Sequence, residues 1–217
     1  MLRVHVVTIF PEFFAGPLGV SILGRAKTAG IVDYRVIDLR DFTKDRHRTV
    51  DDAPYGGGAG MVMKPEPFFE AVESLAAPPP VVLLSARGRR FDQSDAARFA
   101  AGESLTHLCG HYKDVDQRVA DHLATEELSV GDFILTGGEP AALIVLDATV
   151  RLLAGAMNDA ESARTDSFHV ALGGGISAPS YTRPPVYRGF SVPEVLLSGD
   201  HQRIADWRRA EAERRTR

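Results

Sequence analysis

The segment that most constrains the fold is residues 105–139, where two short apolar runs are each followed by glycine. The runs, residues 105–109 and 133–135, are brief and uncharged, which is typical of buried strands. Gly110 follows the first run, and a glycine pair at 137–138 follows the second. Glycine lets a backbone turn sharply or lie against a flat ligand, because it has no Cβ. Two such loops at the carboxyl ends of neighbouring strands predict a ligand crevice in an α/β sheet, although glycine after a strand more often marks only a turn.

The amino-terminal part of the chain predicts a β-α-β unit. Residues 2–10 are predicted to form a strand that Pro11 stops. Residues 17–29 show the apolar spacing of a helix, and Gly30 occupies the position that commonly follows a helix end. Residues 31–39 are predicted to form the second strand. A strand–helix–strand opening favours a parallel sheet.

Further strands and helices are predicted along the next hundred residues. We expect a strand at residues 81–84 and helices at Pro65–Leu75, 92–101, 114–122 and 139–153. The periodicity then fails over residues 154–179, and an arginine-rich helix follows. The sequence therefore predicts an α/β domain over residues 1–157, an interdomain linker over 158–180 and a small helical domain over 181–217.

Composition excludes several classes of protein. The chain has 217 residues, of which 44% are apolar and 25% charged, as is ordinary for a globular protein. No apolar run is long enough to span a membrane, and no signal-peptide pattern is present, so we expect a cytoplasmic protein without a membrane partner. The single cysteine, Cys109, excludes an internal disulfide, and no Cys/His cluster has the spacing of a zinc site.

The distribution of charge is more informative than its sum. The net charge of −4 argues mildly against a nucleic-acid partner, yet residues 201–217 contain six arginines against three acidic residues. A second basic cluster spans residues 44–48. Clustered arginine is typical of a phosphate-binding surface, and the alternative is a solvated helix face.

Residues 43–63 form a long polar segment that contains Gly56, Gly57, Gly58 and Gly60. No Gly-Lys-Ser/Thr follows these glycines, so the segment is not a P-loop. A long irregular loop inside a compact domain is usually functional or disordered. Its tyrosine and two methionines argue against disorder, which is depleted in such residues.

Several of these segments resemble the bacterial tRNA (guanine-N1)-methyltransferases. The similar motifs are CGHYKDVDQR at residues 109–118, SVGDFILTGGE at 129–139, the run at 47–61, and the segments at 181–184 and 192–201. That family belongs to the SPOUT class. The resemblance implies a parallel α/β sheet with a deep C-terminal trefoil knot that holds S-adenosylmethionine in a bent conformation. Knots are nearly absent from proteins, so periodicity alone could not suggest one.

The resemblance also implies the site residues. The cofactor is expected to contact three loops, at residues Leu84, Ser85, Ala86, Gly110, Tyr112, Val130, Gly131, Asp132, Phe133, Ile134, Leu135, Gly137 and Gly138. The substrate tRNA is expected to contact residues His47, Asp51, Tyr55, Gly56, Gly57, Gly58, Ser167, Arg183, Arg208 and Arg209. Family members usually continue with helical sequence beyond Arg217, so the C-terminal domain is expected to be short or truncated. A symmetric homodimer with composite active sites is also implied.

Methylation at N1 of guanine requires removal of the N1 proton and stabilisation of the negative charge that spreads to O6. The resemblance assigns Asp166, in the predicted linker, as the general base and Arg151 as the group that stabilises O6. An aspartate is a poor base at its ordinary pKa of ~3.9, so burial or a nearby cation must assist it. Without the resemblance, Arg151 is a helix C-terminal charge and Asp166 a turn residue. Magnesium is possible in the family and stays unassigned, because no carboxylate cluster marks a metal site.

The chain departs from the family at the first of its glycine loops. Relatives usually have Gly-Arg-Tyr-Glu-Gly where this chain has GHYKD at residues 110–114. Lys113 therefore replaces a glutamate and inverts the charge beside the cofactor loop. A carboxylate that could balance a sulfonium or a metal is absent from that position.

Three alternative functions can be compared with the sequence. A SPOUT methyltransferase acting on another RNA site would lack the close match at residues 47–61. A non-catalytic RNA-binding relative would be expected to lose Gly138 or Asp166, and both are present. A dinucleotide-dependent oxidoreductase would carry Gly-x-Gly-x-x-Gly after the first strand, which this chain lacks. Because the resemblance covers nearly the whole chain, it implies methylation of the guanine on the 3′ side of the anticodon, position 37 of the tRNA.

Overall fold

The computed structural model describes residues 1–76, 78–157 and 165–216. The chain divides into two compact units, Met1–Asn158 and Asp159–Arg217. The linker predicted over 158–180 and the helical domain predicted over 181–217 both include residues outside the described ones, namely 158–164 and 217.

The first unit is built on a five-stranded parallel sheet. Its strand order is β2-β1-β6-β5-β8, and every neighbouring pair is parallel. The strands are β1 Leu2–Thr8, β2 Val32–Asp38, β5 Val81–Arg90, β6 Ser104–Cys109 and β8 Glu126–Ser129. The predicted α/β class with a parallel sheet is confirmed. Because all the strands run in one direction, the loops that follow them meet at one edge of the sheet.

Helices cover both faces of this sheet. They are α1 Ser21–Thr28, α2 Pro65–Leu75, α3 Gln93–Ala100, α4 Gln117–His122 and α5 Glu139–Val150. Two apolar clusters separate along β6, where Leu105 and Cys109 belong to the cluster with α1, α3 and α5, and Leu108 to the cluster with α2 and α4. All six residues of β6 are buried. This strand could be recognised in the sequence as a short, uncharged run closed by glycine, although it includes the polar residues Thr106 and His107.

Local signals fixed several helix ends. The helix predicted at Pro65–Leu75 has those bounds, and Ala76 follows it in a left-handed conformation. Asp92 caps α3 by accepting hydrogen bonds from the amides of Ser94 and Asp95, and the Asp95 side chain accepts one from the Asp92 amide in return. This reciprocal capping box stabilises the start of a helix because it satisfies otherwise unpaired amides.

The prediction of a buried strand at residues 133–135 is wrong. These residues lie in a loop, where the Phe133 and Ile134 side chains are exposed, and the strand that completes the sheet is β8. β8 contains Glu126 and Glu127, so its sequence is not apolar. Glu126 is accommodated at the sheet edge because Arg89 and Arg98 pair with it.

Several predicted bounds also needed adjustment: the strand predicted over 2–10 ends at Thr8, and the helix predicted over 17–29 spans only Ser21–Thr28. The strand predicted at 81–84 extends to Arg90, with an irregularity in its pairing with β8 between Leu84 and Arg89. The helix predicted from residue 114 begins only at Gln117, because 114–115 pair as a strand and Asp116 caps the helix. The helix predicted over 139–153 ends at Val150.

A small three-stranded sheet joins the glycine-rich segment to the loop after β6. Its strands are β3 Asp51–Asp52, β4 Val62–Met63 and β7 Asp114–Val115. β4 pairs antiparallel with β3 and parallel with β7. The amide of Lys113 donates to the carbonyl of Met61 over 3.0 Å. The segment that resembles a substrate-binding loop is therefore attached directly to the first glycine loop.

The second unit contains a β-hairpin and one long helix. The hairpin strands are β9 Val186–Tyr187 and β10 Phe190–Ser191, and helix α6 spans His201–Thr216. The Tyr181 and Trp207 rings lie 6.3 Å apart, and the hydroxyl of Thr216 accepts a hydrogen bond from the amide of Ile176 at 2.9 Å. No helix in the described ranges combines the length and apolarity needed to cross a membrane.

Candidate active site

Three segments at the carboxyl edge of the main sheet enclose a cavity of about 280 Å³. They follow or end β5, β6 and β8, and they are brought together because β5 lies between the other two strands. Twelve of the thirteen residues predicted to hold the cofactor line this cavity, namely Leu84, Ser85, Ala86, Gly110, Tyr112, Val130, Gly131, Phe133, Ile134, Leu135, Gly137 and Gly138. The apolar run that was mistaken for a strand therefore forms part of a cavity wall.

Asp132 is the predicted cofactor residue that the structure leaves out of this cavity. Its side chain is 90% exposed, and its carboxylate pairs with Arg90 at 2.5 Å. The side chain thus points to solvent from the middle of a loop whose other residues line the cavity.

The two glycine loops are in direct backbone contact. The amide of Gly138 donates a hydrogen bond to the carbonyl of Gly110 at 2.8 Å. A Cβ at position 138 would lie 2.8 Å from the Cα of Cys109, which is closer than real Cβ contacts. Glycine is therefore required at position 138 by the packing of one loop on the other, whereas the sequence had suggested that it leaves room for a ligand.

A buried carboxylate lies behind the cavity wall. Glu139 is 3% exposed and begins helix α5, and its Oε1 accepts a hydrogen bond from the fully buried hydroxyl of Thr8 at 2.6 Å. Sequence reasoning did not single out Glu139. The available signal was a carboxylate placed between the glycine pair 137–138 and a long apolar helix, where a charge is unexpected.

An ion pair crosses the cavity mouth. The guanidinium of Arg87 donates to both carboxylate oxygens of Asp114, at 2.5 and 3.1 Å. Both residues and Lys113 line the cavity. Neither member of the pair was predicted from the sequence.

Two buried groups near the site are poorly suited to proton or nucleophile chemistry. Burial, and then the nearby charge of Glu139, raise the pKa of the Cys109 thiol well above its ordinary value. Burial lowers the pKa of His107 to about 3, and neither ring nitrogen has a partner in the described part of the chain. At neutral pH, Cys109 is a thiol and His107 is an uncharged imidazole.

The predicted tRNA residues of the first unit lie in and around the glycine-rich segment. Tyr55 is fully exposed, Asp51 is part of β3, and Gly56, Gly57 and Gly58 all have positive φ. The nearby basic cluster at 44–48, which also contains His47, is less positive than its sequence suggests. Lys44 pairs with Glu70 at 2.7 Å, and Arg48 pairs with Asp38 and Asp41.

In the second unit, one large cavity brings together four predicted residues. Asp166, Arg183, Arg208 and Arg209 all line a space of about 1740 Å³ within this unit. Ser167 lies beside it, with its hydroxyl 3.0 Å from that of Ser177. Arg209 also contacts Asp206 at 3.5 Å, and Glu211 pairs with Arg214 and Arg215, so part of the arginine-rich helix is neutralised by its own acidic residues.

The two predicted catalytic residues belong to different units. Arg151 is the residue that follows the last turn of α5, and one guanidinium nitrogen lies 3.7 Å from the sulfur of Met157. Asp166 belongs to the second unit, and its carbonyl accepts a hydrogen bond from the amide of His169 at 3.3 Å. No group of three or more His, Cys, Asp or Glu that could hold a metal ion occurs in the ranges described. Magnesium therefore stays unassigned among the residues described.

A parallel α/β sheet with a glycine-lined cavity at its carboxyl edge is typical of the α/β proteins that bind a ligand beyond the carboxyl ends of their strands. The chain belongs to the family described as tRNA (Guanine-1)-methyltransferase TrmD, whose model matches residues 2–217. It is 50% identical over 219 residues to the tRNA (guanine-N(1)-)-methyltransferase of Dehalococcoides mccartyi, covering 99% of this chain and 87% of that protein. Similar proteins with the same name occur in Gloeobacter violaceus, at 52% identity with 100% and 95% covered, and in Bacillus subtilis, at 47% identity with 99% and 89% covered.

Proposed function

We propose that this protein transfers a methyl group from S-adenosylmethionine to N1 of guanine in tRNA, at the guanine on the 3′ side of the anticodon. The family match over residues 2–217 carries this proposal, because it includes the cavity loops and both predicted catalytic residues. Relatives named tRNA (guanine-N(1)-)-methyltransferase are about half identical over almost the whole chain. A tRNA substrate further implies that the protein acts in the cytoplasm.

The cavity of the first unit fits S-adenosylmethionine by its chemistry. Phe133, Ile134 and Leu135 offer apolar surface to an adenine ring, and the adjoining glycines have no side chain that would keep a ligand away from the backbone. When bound, S-adenosylmethionine supplies a methyl group on a positively charged sulfonium. The protein's contribution is then chiefly to position the two reactants and to stabilise charge.

The proton and charge of the guanine are assigned to two residues. Asp166 accepts the N1 proton, and Arg151 stabilises the negative charge that develops on O6. Support for these roles comes from the resemblance, because Asp166 stands in the run SARTDSF at residues 162–168 and Arg151 precedes the Leu-Ala-Gly run at 153–155. The position of Asp166 in a cavity that also contains Arg183 and Arg208 supports them further, because those cations favour a nearby phosphate backbone.

Contacts with the tRNA are assigned to two surfaces. One is the segment that carries His47, Tyr55 and the glycines 56–58, and the other is the arginine-bearing cavity of the second unit. Tyr55 is fully exposed, so its ring is available to stack on an unpaired base. Arginines in the cavity can contact phosphates, which give affinity without reading sequence.

We assign a trefoil knot to the two glycine loops and a homodimer with composite sites to the working enzyme. The Gly138–Gly110 hydrogen bond, which packs the loop before α5 on the loop after β6, is consistent with a knotted arrangement. Helix α5 is apolar on almost every side and leaves Ile144 47% exposed. A largely apolar outer helix face of this kind, which the exposed Asp147 interrupts, suits burial against a second copy of the chain.

The function can be tested with unmodified tRNA transcripts. One transcript carries guanine after the anticodon, and a matched transcript carries adenine there. Incubation with S-adenosylmethionine, followed by nucleoside digestion and mass spectrometry, should yield 1-methylguanosine from the first transcript alone. Equal yields from both transcripts would reject the assigned position, and absence of 1-methylguanosine from both would reject the function.

A further inference from the structure

Glu139 is a buried carboxylate that the proposed reaction does not use. The Glu139 side chain is 3% exposed. It forms no ion pair with a lysine or an arginine among residues 1–76, 78–157 and 165–216. Its Oε1 accepts the short hydrogen bond from Thr8, and the amino terminus of α5 provides further stabilisation. Burying an ionised carboxylate costs free energy unless a cation lies close to it, so a positively charged ligand near Glu139 would be stabilising.

The second carboxylate oxygen of Glu139 points toward the cavity wall. A Cβ at Gly137 would lie 2.3 Å from Oε2 of Glu139 and 2.5 Å from Nδ1 of His111. Gly137 and His111 both line the cavity, whereas Glu139 does not. Only a glycine backbone therefore separates the buried carboxylate from the cavity, and a larger residue at 137 would push the two apart.

The negative charge of Glu139 affects a neighbouring group in the strand that precedes the first glycine loop. It contributes, after burial, to the raised pKa of the Cys109 thiol. Charges act over longer distances in a protein interior than in water, because the effective dielectric is lower. A ligand in the cavity is consequently exposed to the same field.

The charged side chains of the cavity lining also bear on this field. Lys113 adds a positive charge to that lining. Arg87 and Asp114, also in the lining, neutralise one another through their ion pair. The surface charges of the cavity thus do not favour a cation, and the buried carboxylate of Glu139 is the charge that can.

We propose that Glu139 is a specificity-determining residue, whose charge makes the cavity bind the cationic S-adenosylmethionine in preference to its neutral demethylated product, S-adenosylhomocysteine. Thr8 is the positioning residue that holds the carboxylate toward Gly137. This inference rests on the proposed function, because it takes the cofactor from it. It adds a physical means of releasing the product, since loss of the methyl group removes the positive charge that Glu139 attracts.

The test is calorimetric titration of the full chain with three ligands. S-adenosylmethionine and sinefungin are cationic at the reacting position, and S-adenosylhomocysteine is neutral. The Glu139→Gln substitution keeps the size of the side chain and its ability to accept the Thr8 hydrogen bond. We expect this substitution to weaken the binding of both cationic ligands by about tenfold, and the binding of S-adenosylhomocysteine by less than about twofold. Glu139→Asp, which retains the charge, should recover part of the preference.

Two further variants complete the design. Glu103→Gln removes an exposed carboxylate before β6, at the opposite edge of the sheet, and should leave all three affinities unchanged. Thr8→Val removes the hydrogen bond that orients Glu139 and should reduce the preference for the cationic ligands to a smaller extent. If Glu139→Gln does not fold, the Thr8→Val result decides, and an unchanged preference there overturns the proposal.

The possible failures are distinguishable. If the wild-type chain does not bind S-adenosylmethionine, the proposed function itself is wrong. If the wild-type chain binds it and Glu139→Gln weakens all ligands equally, or none, the charge proposal alone is rejected. Equal weakening would mean that Glu139 supports the loop structurally, for example through His111, and does not select by charge.

Discussion

Arg87 and Asp114 form a bidentate ion pair that joins the irregular part of β5 to β7, with nitrogen–oxygen distances of 2.5 and 3.1 Å. Both side chains line the cavity, and both are partly exposed. β7 is paired in turn with β4, at the end of the glycine-rich segment. One contact between side chains therefore connects the cofactor cavity with the segment assigned to the tRNA.

This ion pair should affect ligand binding more than stability. Arg87→Ala and Asp114→Ala should each lower the free energy of unfolding by less than about 1 kcal/mol, because partly exposed pairs contribute little. Each substitution should weaken the binding of S-adenosylmethionine severalfold, because the ion pair that holds two parts of the cavity wall together is lost. The double variant should bind S-adenosylmethionine no more weakly than either single variant. Titration calorimetry and urea unfolding measure the two effects. Arg118→Ala, which breaks a pair with Asp116 outside the cavity lining, is the control. Additive losses of affinity would show that the two residues act separately.

Position 138 should tolerate no Cβ. Gly138→Ala would place a Cβ 2.8 Å from the Cα of Cys109, so we expect a loss of about 1–3 kcal/mol in the free energy of unfolding. Gly16→Ala is the matched control, because a Cβ there meets nothing within 4 Å and the backbone φ is −76°. Thermal and urea unfolding of the two variants provide the comparison. Equal stability of the two would show that the loops can move apart without cost.

Asp95 should make stability depend on acid pH. Hydrogen bonds from Arg89, and secondarily from Arg98, lower the pKa of its buried carboxyl from 3.8 to about 2. Because the folded-state pKa is the lower one, this stabilisation is present at neutral pH and is lost as the pH falls from about 4 to about 2. It should amount to no more than about 2 kcal/mol, since both arginines are half exposed.

The measurement compares the free energy of unfolding of wild type and Asp95→Asn across that pH range. Other carboxylates titrate there in both proteins, so the difference between the two curves isolates Asp95. The difference should shrink as the pH falls toward 2. A difference that stays constant with pH would mean that Asp95 contributes through packing or capping and not through its charge.

Asp166 should be required for turnover and not for cofactor binding. Asp166→Asn should lower the methylation rate by about 10²–10⁴-fold, the usual contribution of a general base, while calorimetry shows unchanged affinity for S-adenosylmethionine. Glu194→Gln, which alters an exposed carboxylate of the same unit, should methylate normally. Near-normal methylation by Asp166→Asn would remove Asp166 from the mechanism.

A composite site predicts complementation between two inactive chains. Ala86→Trp places a large side chain in the cofactor cavity, which Ala86 lines from an exposed position, and Asp166→Ala removes the base. If each site combines the cavity of one chain with the Asp166 of the other, a mixed dimer contains one intact site and activity returns. Subunit exchange is verified with differently tagged chains. Continued inactivity after exchange would place both groups in the same chain.

The sequence by itself determined the elements that depend on neighbours along the chain. Helix α2 and the start of α3 follow from proline and from a capping aspartate, and β6 follows from a short run of buried residues. The two loops were predicted correctly from Gly110, Gly137 and Gly138, because loops that pack closely without Cβ atoms require glycine. The resemblance to the family then implied which ligand such loops would hold.

Only the tertiary structure decided which segment completes the sheet and what lies behind the cavity. The strand that completes the sheet is β8 and not the apolar run at 133–135. Glu126 of β8 can lie at the sheet edge because Arg89 and Arg98, which are remote in sequence, form ion pairs with it. Glu139 meets Thr8 across 131 positions of the chain. Periodicity describes how a segment presents its side chains, but the partners that bury or neutralise a charge come from distant segments that folding brings into contact.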